Sequence, residues 1–501
     1  MPLEYSKAKN QSFTCSINGI FLHSSYNPEA ESKRFVENVK SDFIPENIIL
    51  IEPALAYCND FFKKKFPNAK LFAIRFIKNI EHSKTFGKEF FFENSFRLKS
   101  ELFNYFGEDR LLNSLFISWP PSAKAFFESD RQVWVILKDL LNDARTILVT
   151  RQFFAKRWIK NQIKFFSNIH KTAVLDKTDI PVLICASGQS LESSIEKIKA
   201  YKDFLFIIAC SSSVKCLLKN GITPDLCIST DGGFWAKKHL DCLLSEQKDI
   251  PVAISSEANI PSKLFLKNTI VPLMYCDNFD DRISRKLGIN FNAAKRNGTI
   301  SGTALELAFW LTDKKIFFCG LDLETNVGFA HVQPNELELQ NSACDNRLKT
   351  KETRVFIQSC QDSQLELYRN WFVNNSPEFE GRFYRLSDNY KFRHSLGKIK
   401  DINWDNFESF AELKDTKKNS KQYFKYNKIQ VPRKNRELVK NIFSSLFKNN
   451  DFIKNYFPAD CIAIDRAADA AQKDFYRKKL QEKIEGLENS ILLKQACNYD
   501  L

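Results

Sequence analysis

The chain has 501 residues, more than one hydrophobic core can serve, so about two to four domains are expected. With 44% hydrophobic and 27% charged residues, 46 Phe and only 15 Gly and 16 Pro, it reads as an ordinary globular protein with well-filled cores. The formal net charge of +14 would attract anions, but the Lys residues are spread along the chain in no nucleic-acid-binding module, so nucleic acid is not an expected partner.

The first residues (MPLEYSKAKNQSF) lack the apolar core of a secretory signal, and no run of about 18 apolar residues follows. A cytoplasmic protein without a membrane span is the expectation. Residues 47–51 (NIILI) read as a short buried strand, 58–65 (CNDFFKKK) as a helix and 70–76 (KLFAIRF) as a second strand. Residues 124–170 carry apolar side chains at i, i+3 and i+4 and read mostly as helix. Strand and helix then alternate: strands at 182–186 (VLICA), 204–210 (FLFIIAC), 226–230 (LCIST), 251–255 (PVAIS), 270–274 and 316–319 (IFFC). Helices fall at 191–201, 214–219 and 304–311, with Gly221 where a C-terminal cap belongs. Continuous apolar strands separated by helices predict a mostly parallel sheet of five or six strands covered on both faces. Cys185, Cys210, Cys227 and Cys319 lie in or at the ends of these runs and read as reduced, buried thiols, not disulfides or a zinc site. Beyond residue 396 the character changes: 414–434 is Lys-rich and irregular, while 439–447 and 466–493 are helical.

In a parallel sheet a ligand sits beyond the carboxyl ends of the strands, so the residues that follow each strand matter most. They are small and polar: Ser187-Gly188-Gln189-Ser190, Ser211-Ser212-Ser213, Asp231-Gly232-Gly233 and, before the helix at 304–311, Gly298-Thr299-Ile300-Ser301-Gly302-Thr303. Helix N-termini built from such residues favour an anion such as a phosphate, and Gly188 and Gly302 would let backbone approach it. No G-K-[ST] follows the first strand and no G-x-G-x-x-G is present, which removes P-loop ATPase and dinucleotide dehydrogenase readings. Asp225 precedes its strand and reads as a turn residue at the opposite end. Asp231, Asp322 and Glu324 follow their strands and share the rim, where a carboxylate can meet a ribose hydroxyl, a metal or an amine. His331, in the loop N-V-G-F-A-H-V-Q-P, is an acid/base candidate beside them.

These residues together resemble the motility accessory factor family of bacterial flagellin glycosyltransferases. Leu22-His23-Ser24-Ser25-Tyr26-Asn27-Pro28-Glu29-Ala30 is similar to that family's opening motif, and Arg157-Trp158-Ile159-Lys160-Asn161 to a helix that leads into its core. The core looks like the domain shared with archaeal pterin diphosphokinases: Ser187 to Leu191 matches S-G-P-S-L, Gly221 to Asp231 matches G-I-x-P-D with a following Asp, Gly298 to Ala308 matches G-T-[SV]-x-x-x-A-L-x-L-A, and Gly320 to His331 matches G-x-D-L with a downstream His. Residues 368–372 (YRNWF) and 385–389 correspond to a closing segment.

The resemblance implies an α/β protein: a central Rossmann-like, mostly parallel sheet domain like that of bacterial sialyltransferases, with a small N-terminal α/β domain and a C-terminal helical domain. The expected boundaries are 1–110, a helical connection at 111–179, the nucleotide-sugar-binding domain at 180–395, and 396–501. It implies transfer of a nonulosonic acid, such as pseudaminic or legionaminic acid, from a CMP-activated donor to Ser or Thr of flagellin, in the service of flagellar assembly and motility, with no obligatory cofactor. On this analogy the nucleotide sugar is held by Ser187, Gly188, Gln189, Ser190, Ser211, Ser212 and Gly232. Thr299, Ser301, Gly302 and Thr303 meet its phosphate or carboxylate. His331, as base or acid, acts with Asp231 and Asp322. The sequence departs from the pattern in three places. Gln189 stands for a proline, Ser387-Asp388-Asn389 for a glycine-containing motif, and Glu52-Pro53-Ala54-Leu55-Ala56-Tyr57 for a glycine-rich loop. Without glycine that loop is expected to serve structure or acceptor binding, not a second nucleotide. Two other readings stay open: a pyrophosphokinase using ATP and Mg²⁺ through Asp231 and Asp322, and a non-catalytic flagellin-binding factor.

Overall fold

The computed structural model describes residues 3–276, 279–324, 331–359, 363–388, 390–413, 418–428, 432–467 and 469–496. The chain divides into two units, Met1–Phe154 with Ile453–Glu482, and Ala155–Phe452 with Lys483–Leu501. Among the described residues no helix is long and apolar enough to cross a membrane.

The first unit holds a small antiparallel sheet, β1 (Glu4–Lys7), β2 (Phe13–Ile17) and β3 (Ile20–Phe21), and a parallel sheet of β4 (Asn47–Ile51), β5 (Lys70–Arg75), β6 (Lys88–Phe91) and β7 (Ser114–Ser118) in the order β6-β5-β4-β7. Alternation along β4 sends Ile49 and Ile51 to one core with Leu102, Phe106 and Leu137, and Ile48 and Leu50 to another with Val36 and Phe62. The loop after β4 is buried, and Glu52, Ala54 and Ala56 adopt φ of +39°, +47° and +58° without a glycine. Its backbone donors are already taken: Glu52 N–H by Ile74 O (2.7 Å), Ala54 N–H by Glu52 Oε1 (3.3 Å), Leu55 N–H by His23 Nε2 (3.1 Å) and Ala56 N–H by Pro53 O (2.8 Å), while the Glu52 carboxylate faces Arg75 at 3.2 Å. A cavity of about 400 Å³ in this unit is lined by Ile20, Phe21, Phe35, Trp119, Pro120 and Pro121, among others.

The second unit is built on an eleven-stranded sheet. Its strands are β8 (Lys171–Leu175), β9 (Val182–Cys185), β10 (Phe206–Cys210), β11 (Leu226–Ser229), β12 (Val252–Ser255), β13 (Ile270–Met274), β14 (Asn292–Ala293), β15 (Ile316–Cys319), β16 (Phe383–Leu386), β17 (Lys400–Ile402) and β18 (Phe424–Lys428). The order is β17-β16-β15-β9-β10-β11-β12-β13-β8-β18, with β14 beside β13, and every pairing is parallel except β18 with β8. Strands β9 to β13 and β15 are buried on both faces, as their unbroken apolar runs require. Cys185, Cys210, Cys227 and Cys319 sit inside this sheet as free thiols, and burial pushes those of Cys210 and Cys319 up to about 12.

Five of these strands lie outside the expected set. β8 and β16 directly follow the long helices Phe127–Asn168 and Ser363–Phe379, whose patterns mask them; β14 and β17 have only two and three residues. Segment 414–434, expected to be irregular, supplies β18: Phe424 faces inward while Lys425 and Tyr426 are exposed, as an edge strand permits. Residues 414–417 and 429–431 of that segment lie outside the described residues, as do residues 326–330 of the loop before His331, and Asn389. Segment 111–179 likewise includes β7 and β8 in addition to its helices, of which Phe127–Asn168 is the longest in the chain.

Candidate functional site

The strand order reverses at β9. The chain proceeds from β9 through β10, β11, β12 and β13 on one side, then returns to place β15 and β16 on the other. Loops leaving adjacent strands β9 and β15 flank this switch point, the crevice where doubly wound sheets bind ligands, and here hydrogen bonds tie the two loops to each other.

The Ser187–Ser190 loop lies on this crevice. Gly188 N–H donates to Gly320 O (2.8 Å), and a Cβ on Gly188 would stand 2.5 Å from Asp322 Cγ and 2.6 Å from that carbonyl. The close approach that glycine permits here is to the β15 loop. Ser190 donates its backbone N–H to Asp322 (3.0 Å) and its hydroxyl to the other carboxylate oxygen. Asp322 is only 4% exposed, and burial pushes its carboxyl up against the pull of the Ser190 hydrogen bonds. It thus clamps the loops after β9 and β15 together. Glu324 is also buried and accepts from the Tyr390 hydroxyl (3.1 Å) and Arg393 N–H (3.0 Å).

The loop after β10 joins them: the Ser212 hydroxyl donates to Ser187 Oγ (2.8 Å), and Asn335 Nδ2 donates to Ser212 O (3.1 Å). Val332 N–H donates to Ser187 O (2.9 Å), which brings the His331 segment to the same crevice. Ser213 turns away and bonds the carbonyls of Cys185 and Cys210, while Ser211 is buried. Imidazole Nδ1 of His331 lies 3.4 Å from Glu338 Oε1.

The loop after β11 is set by a second group of side chains. Asp231 is exposed, and its Oδ1 accepts from Gly233 N–H (2.9 Å). Burial and the Asp231 charge together push the Tyr368 hydroxyl up. Gly232 has no room for a side chain: a Cβ would come within 3.0 Å of Glu257 O and 3.1 Å of the Trp158 ring. Asn161 donates to both Gly232 O (3.3 Å) and Glu257 O (2.8 Å), so the Arg157–Asn161 motif braces this loop.

The helix Ile300–Leu311 packs Ala304, Leu305, Ala308 and Leu311 on the central core. Its last turn lies at the beginning of β9, where Thr178 N–H donates to Leu311 O (2.8 Å) and the Thr312 hydroxyl to Ile180 O (3.0 Å). Its N-terminus is therefore at the carboxyl end of the strands. Thr299 caps it by accepting from Gly302 N–H (2.9 Å). Ser301 reaches Thr299 Oγ1 (3.4 Å), and buried Thr303 bonds Asn297 Oδ1 (3.1 Å). Arg296, just before this loop, forms a two-pronged pair with buried Glu257 (2.7 and 3.1 Å) over the rings of Tyr275 and Trp158.

Ser187, Gly188, Ser190, Ser212, Asp322 and His331 are thus brought together at the crevice between β9 and β15. Asp231, Gly232, Thr299, Ser301, Gly302 and Thr303 lie at the same end of the sheet in a second group. Asp225 lies at the other end, accepting from Ile207 N–H (2.7 Å) and pairing with Lys418. Among the described residues no three His, Cys, Asp or Glu side chains converge as metal ligands. Sequence reasoning missed Glu257, Arg296, Asn335 and Glu338. Of these only Asn335 and Glu338 carry a local signal, since N-x-x-E is a capping-box spacing.

A family model described as 6-hydroxymethylpterin diphosphokinase MptE-like matches residues 156–328. Two uncharacterized proteins of Treponema pallidum (strain Nichols) are similar in sequence. One is 28% identical over 322 residues, 63% of this chain and 69% of that protein; the other is 26% identical over 125 residues, 24% of this chain and 58% of that protein. The structure of the MAf glycosyltransferase from Magnetospirillum magneticum AMB-1 superposes with a TM-score of 0.61 at 11% identity, covering 98% of this chain and 92% of that one. The chain shares the fold of that protein. The resemblance drawn from the motifs to the motility accessory factor family holds at the level of the fold, α/β with a large, mostly parallel sheet.

Proposed function

We propose that the chain is a glycosyltransferase that moves a nonulosonic sugar from a CMP-activated donor to Ser or Thr hydroxyls of flagellin in the cytoplasm. The observation that carries this reading is the likeness of fold, along nearly the whole chain, to a glycosyltransferase. The crevice chemistry agrees with it. The hydroxyls of Ser187, Ser212, Thr299 and Ser301, beside a capped helix N-terminus, suit an anionic nucleotide sugar better than a lone carboxylate cluster would.

In this reading Ser187, Gly188, Gln189, Ser190, Ser211, Ser212 and Gly232 line the nucleotide, and Thr299, Ser301, Gly302 and Thr303 meet its phosphate or the sugar carboxylate. His331 takes the proton of the acceptor hydroxyl as that oxygen bonds to the anomeric carbon. The bond from that carbon to the phosphate oxygen breaks, and CMP leaves with the electron pair. CMP is a stable leaving group, so positioning and stabilisation of phosphate charge carry the step without an obligatory metal. Asp322 acts by holding the loops after β9 and β15, and Asp231 by presenting an exposed carboxylate to a donor or acceptor hydroxyl.

The match to the pterin diphosphokinase model favours a second reading, pyrophosphoryl transfer from ATP with Mg²⁺ at Asp231 and Asp322. Thermal unfolding with CMP, a CMP-sugar or ATP, each with Mg²⁺ or EDTA, separates the two. Stabilisation by CMP ligands in EDTA is expected; stabilisation by ATP–Mg²⁺ alone sinks the transferase reading. Intact mass of flagellin co-expressed with a CMP-sugar supply tests transfer. A mass increase is expected with the native chain and none with Asp231→Ala or His331→Ala. An unmodified mass with the native chain points to a non-catalytic flagellin-binding factor.

A further inference from the structure

The helix Glu336–Cys344 starts at Asn335, whose side-chain oxygen accepts from the N–H groups of Leu337 (3.0 Å) and Glu338 (3.4 Å), while its Nδ2 holds Ser212 O (3.1 Å). One residue thus caps the helix and ties it to the loop after β10. On the first turn Glu338 presents a carboxylate whose side chain is 1% exposed, against 30% for His331. Its Oε1 lies 3.4 Å from His331 Nδ1, and its Oε2 lies 3.3 Å from Arg354 Nη1. Arg354 is itself gripped through Nε and Nη2 by Asp345 (2.9 and 3.0 Å). Two bonds steady the histidine segment: Val332 N–H donates to Ser187 O (2.9 Å), and the Gln333 side-chain Nε2 donates to His331 O (3.3 Å).

An ionised carboxylate only accepts, so a ring nitrogen facing it must carry the hydrogen, and the neutral imidazole then has its lone pair on the other nitrogen. Glu338 is kept ionised. Burial alone would raise its carboxyl, but the hydrogen bond with His331 and the charges of His331 and Arg354 outweigh it and hold it below the usual glutamate range. Among the described residues, the titratable or charged groups bonded to the histidine or to its partner are Glu338 and, behind it, Arg354 and Asp345; the adjoining loop offers the neutral hydroxyls of Ser187 and Ser212.

We infer that Glu338 is the positioning residue of His331, fixing the hydrogen on Nδ1 so that Nε2 is the atom that takes the acceptor's proton, with Arg354 and Asp345 holding Glu338 in place. The inference rests on His331 being the base of the proposed transfer. The proton passes from the acceptor hydroxyl to Nε2, and the Nδ1–H···Glu338 contact becomes an imidazolium–carboxylate pair that steadies the charge formed.

Nitrogen NMR of the full chain with ¹⁵N-labelled histidine reads the tautomer directly, with His331→Ala identifying the resonance. The hydrogen is expected on Nδ1 in the native protein and distributed between both nitrogens in Glu338→Gln. In transfer from CMP-pseudaminic or CMP-legionaminic acid to purified flagellin, Glu338→Gln is expected to lower kcat about 10²-fold or more, with KM for the donor changed less than about twofold. Full activity in His331→Ala would overturn the assignment of the base and the inference with it. An inactive His331→Ala beside a fully active Glu338→Gln overturns the inference alone, as does hydrogen on Nε2 in the native protein. This last measurement is made on the native protein, with His331→Ala serving only to assign the resonance.

Discussion

At the scale of single residues, the glycine of the first loop acts through protein contacts. Gly188 faces Asp322 Cγ at 2.5 Å and Gly320 O at 2.6 Å from where a Cβ would be. Neither neighbour can yield cheaply, because one is backbone and the other is a buried carboxylate already bonded twice by Ser190. Gly188→Ala should therefore lower stability by about 1–3 kcal/mol, the cost of overpacking a filled site, and open the crevice between β9 and β15. Gly486 is the internal control: it lies within the helix Ala470–Ala496 with nothing near its missing Cβ. Gly486→Ala should leave stability unchanged or raise it by up to about 1 kcal/mol. Urea unfolding of both variants decides the matter, and equal effects would show that Gly188 is not packed as described.

At the scale of elements, the helix Ile300–Leu311 was legible because the loop before it and the apolar run within it agree. Thr299 is non-helical and accepts from Gly302 N–H, leaving the first turn at the carboxyl end of the strands. Thr299→Ala should cost about 1 kcal/mol, the usual value of a lost N-cap, and weaken stabilisation by CMP. Thr299→Ser should restore both, since its hydroxyl can make the same bond. Urea unfolding with and without CMP measures the pair; a full-strength CMP response in Thr299→Ala would remove this helix end from the site. The same local logic explains which parts of the site could be read. Ser187, Gly188 and Ser212 follow apolar strands by two or three residues, so topology alone places them at the rim. Glu257 and Arg296 escaped because they pair across 39 positions, and Glu338 because its capping-box spacing marks a helix start and says nothing of the contacts with His331 and Arg354 that the fold supplies. A charge on a helix or in a loop looks solvated until the fold supplies its partner.

At the scale of the molecule, the same limit governs the sheet. The wholly buried apolar strands β9 to β13 and β15 announce themselves, but its ends are closed by partly exposed strands drawn from far along the chain. β18 pairs antiparallel with β8, residues 171–175 meeting 424–428 across some 250 intervening positions. No local pattern can encode that pairing. What marks it physically is Tyr423 and Phe424, 4% and 6% exposed, whose rings pack on Phe206 of β10 at 5.9 and 6.1 Å between centroids. Truncating a buried aromatic to alanine costs about 3–5 kcal/mol, and two in contact are not additive. The double variant Tyr423→Ala/Phe424→Ala should therefore lose about 4 kcal/mol or more, a large share of the roughly 5–15 kcal/mol that holds a domain together. It should also bare the outer edge of β8, inviting association. Amide hydrogen exchange followed by mass spectrometry locates the damage. Faster exchange is expected in β8, β9 and β10, with β4 and β5 in the other unit unchanged. Protection retained in β8 would mean that the edge stands without β18, and that the sheet is held by its central strands alone.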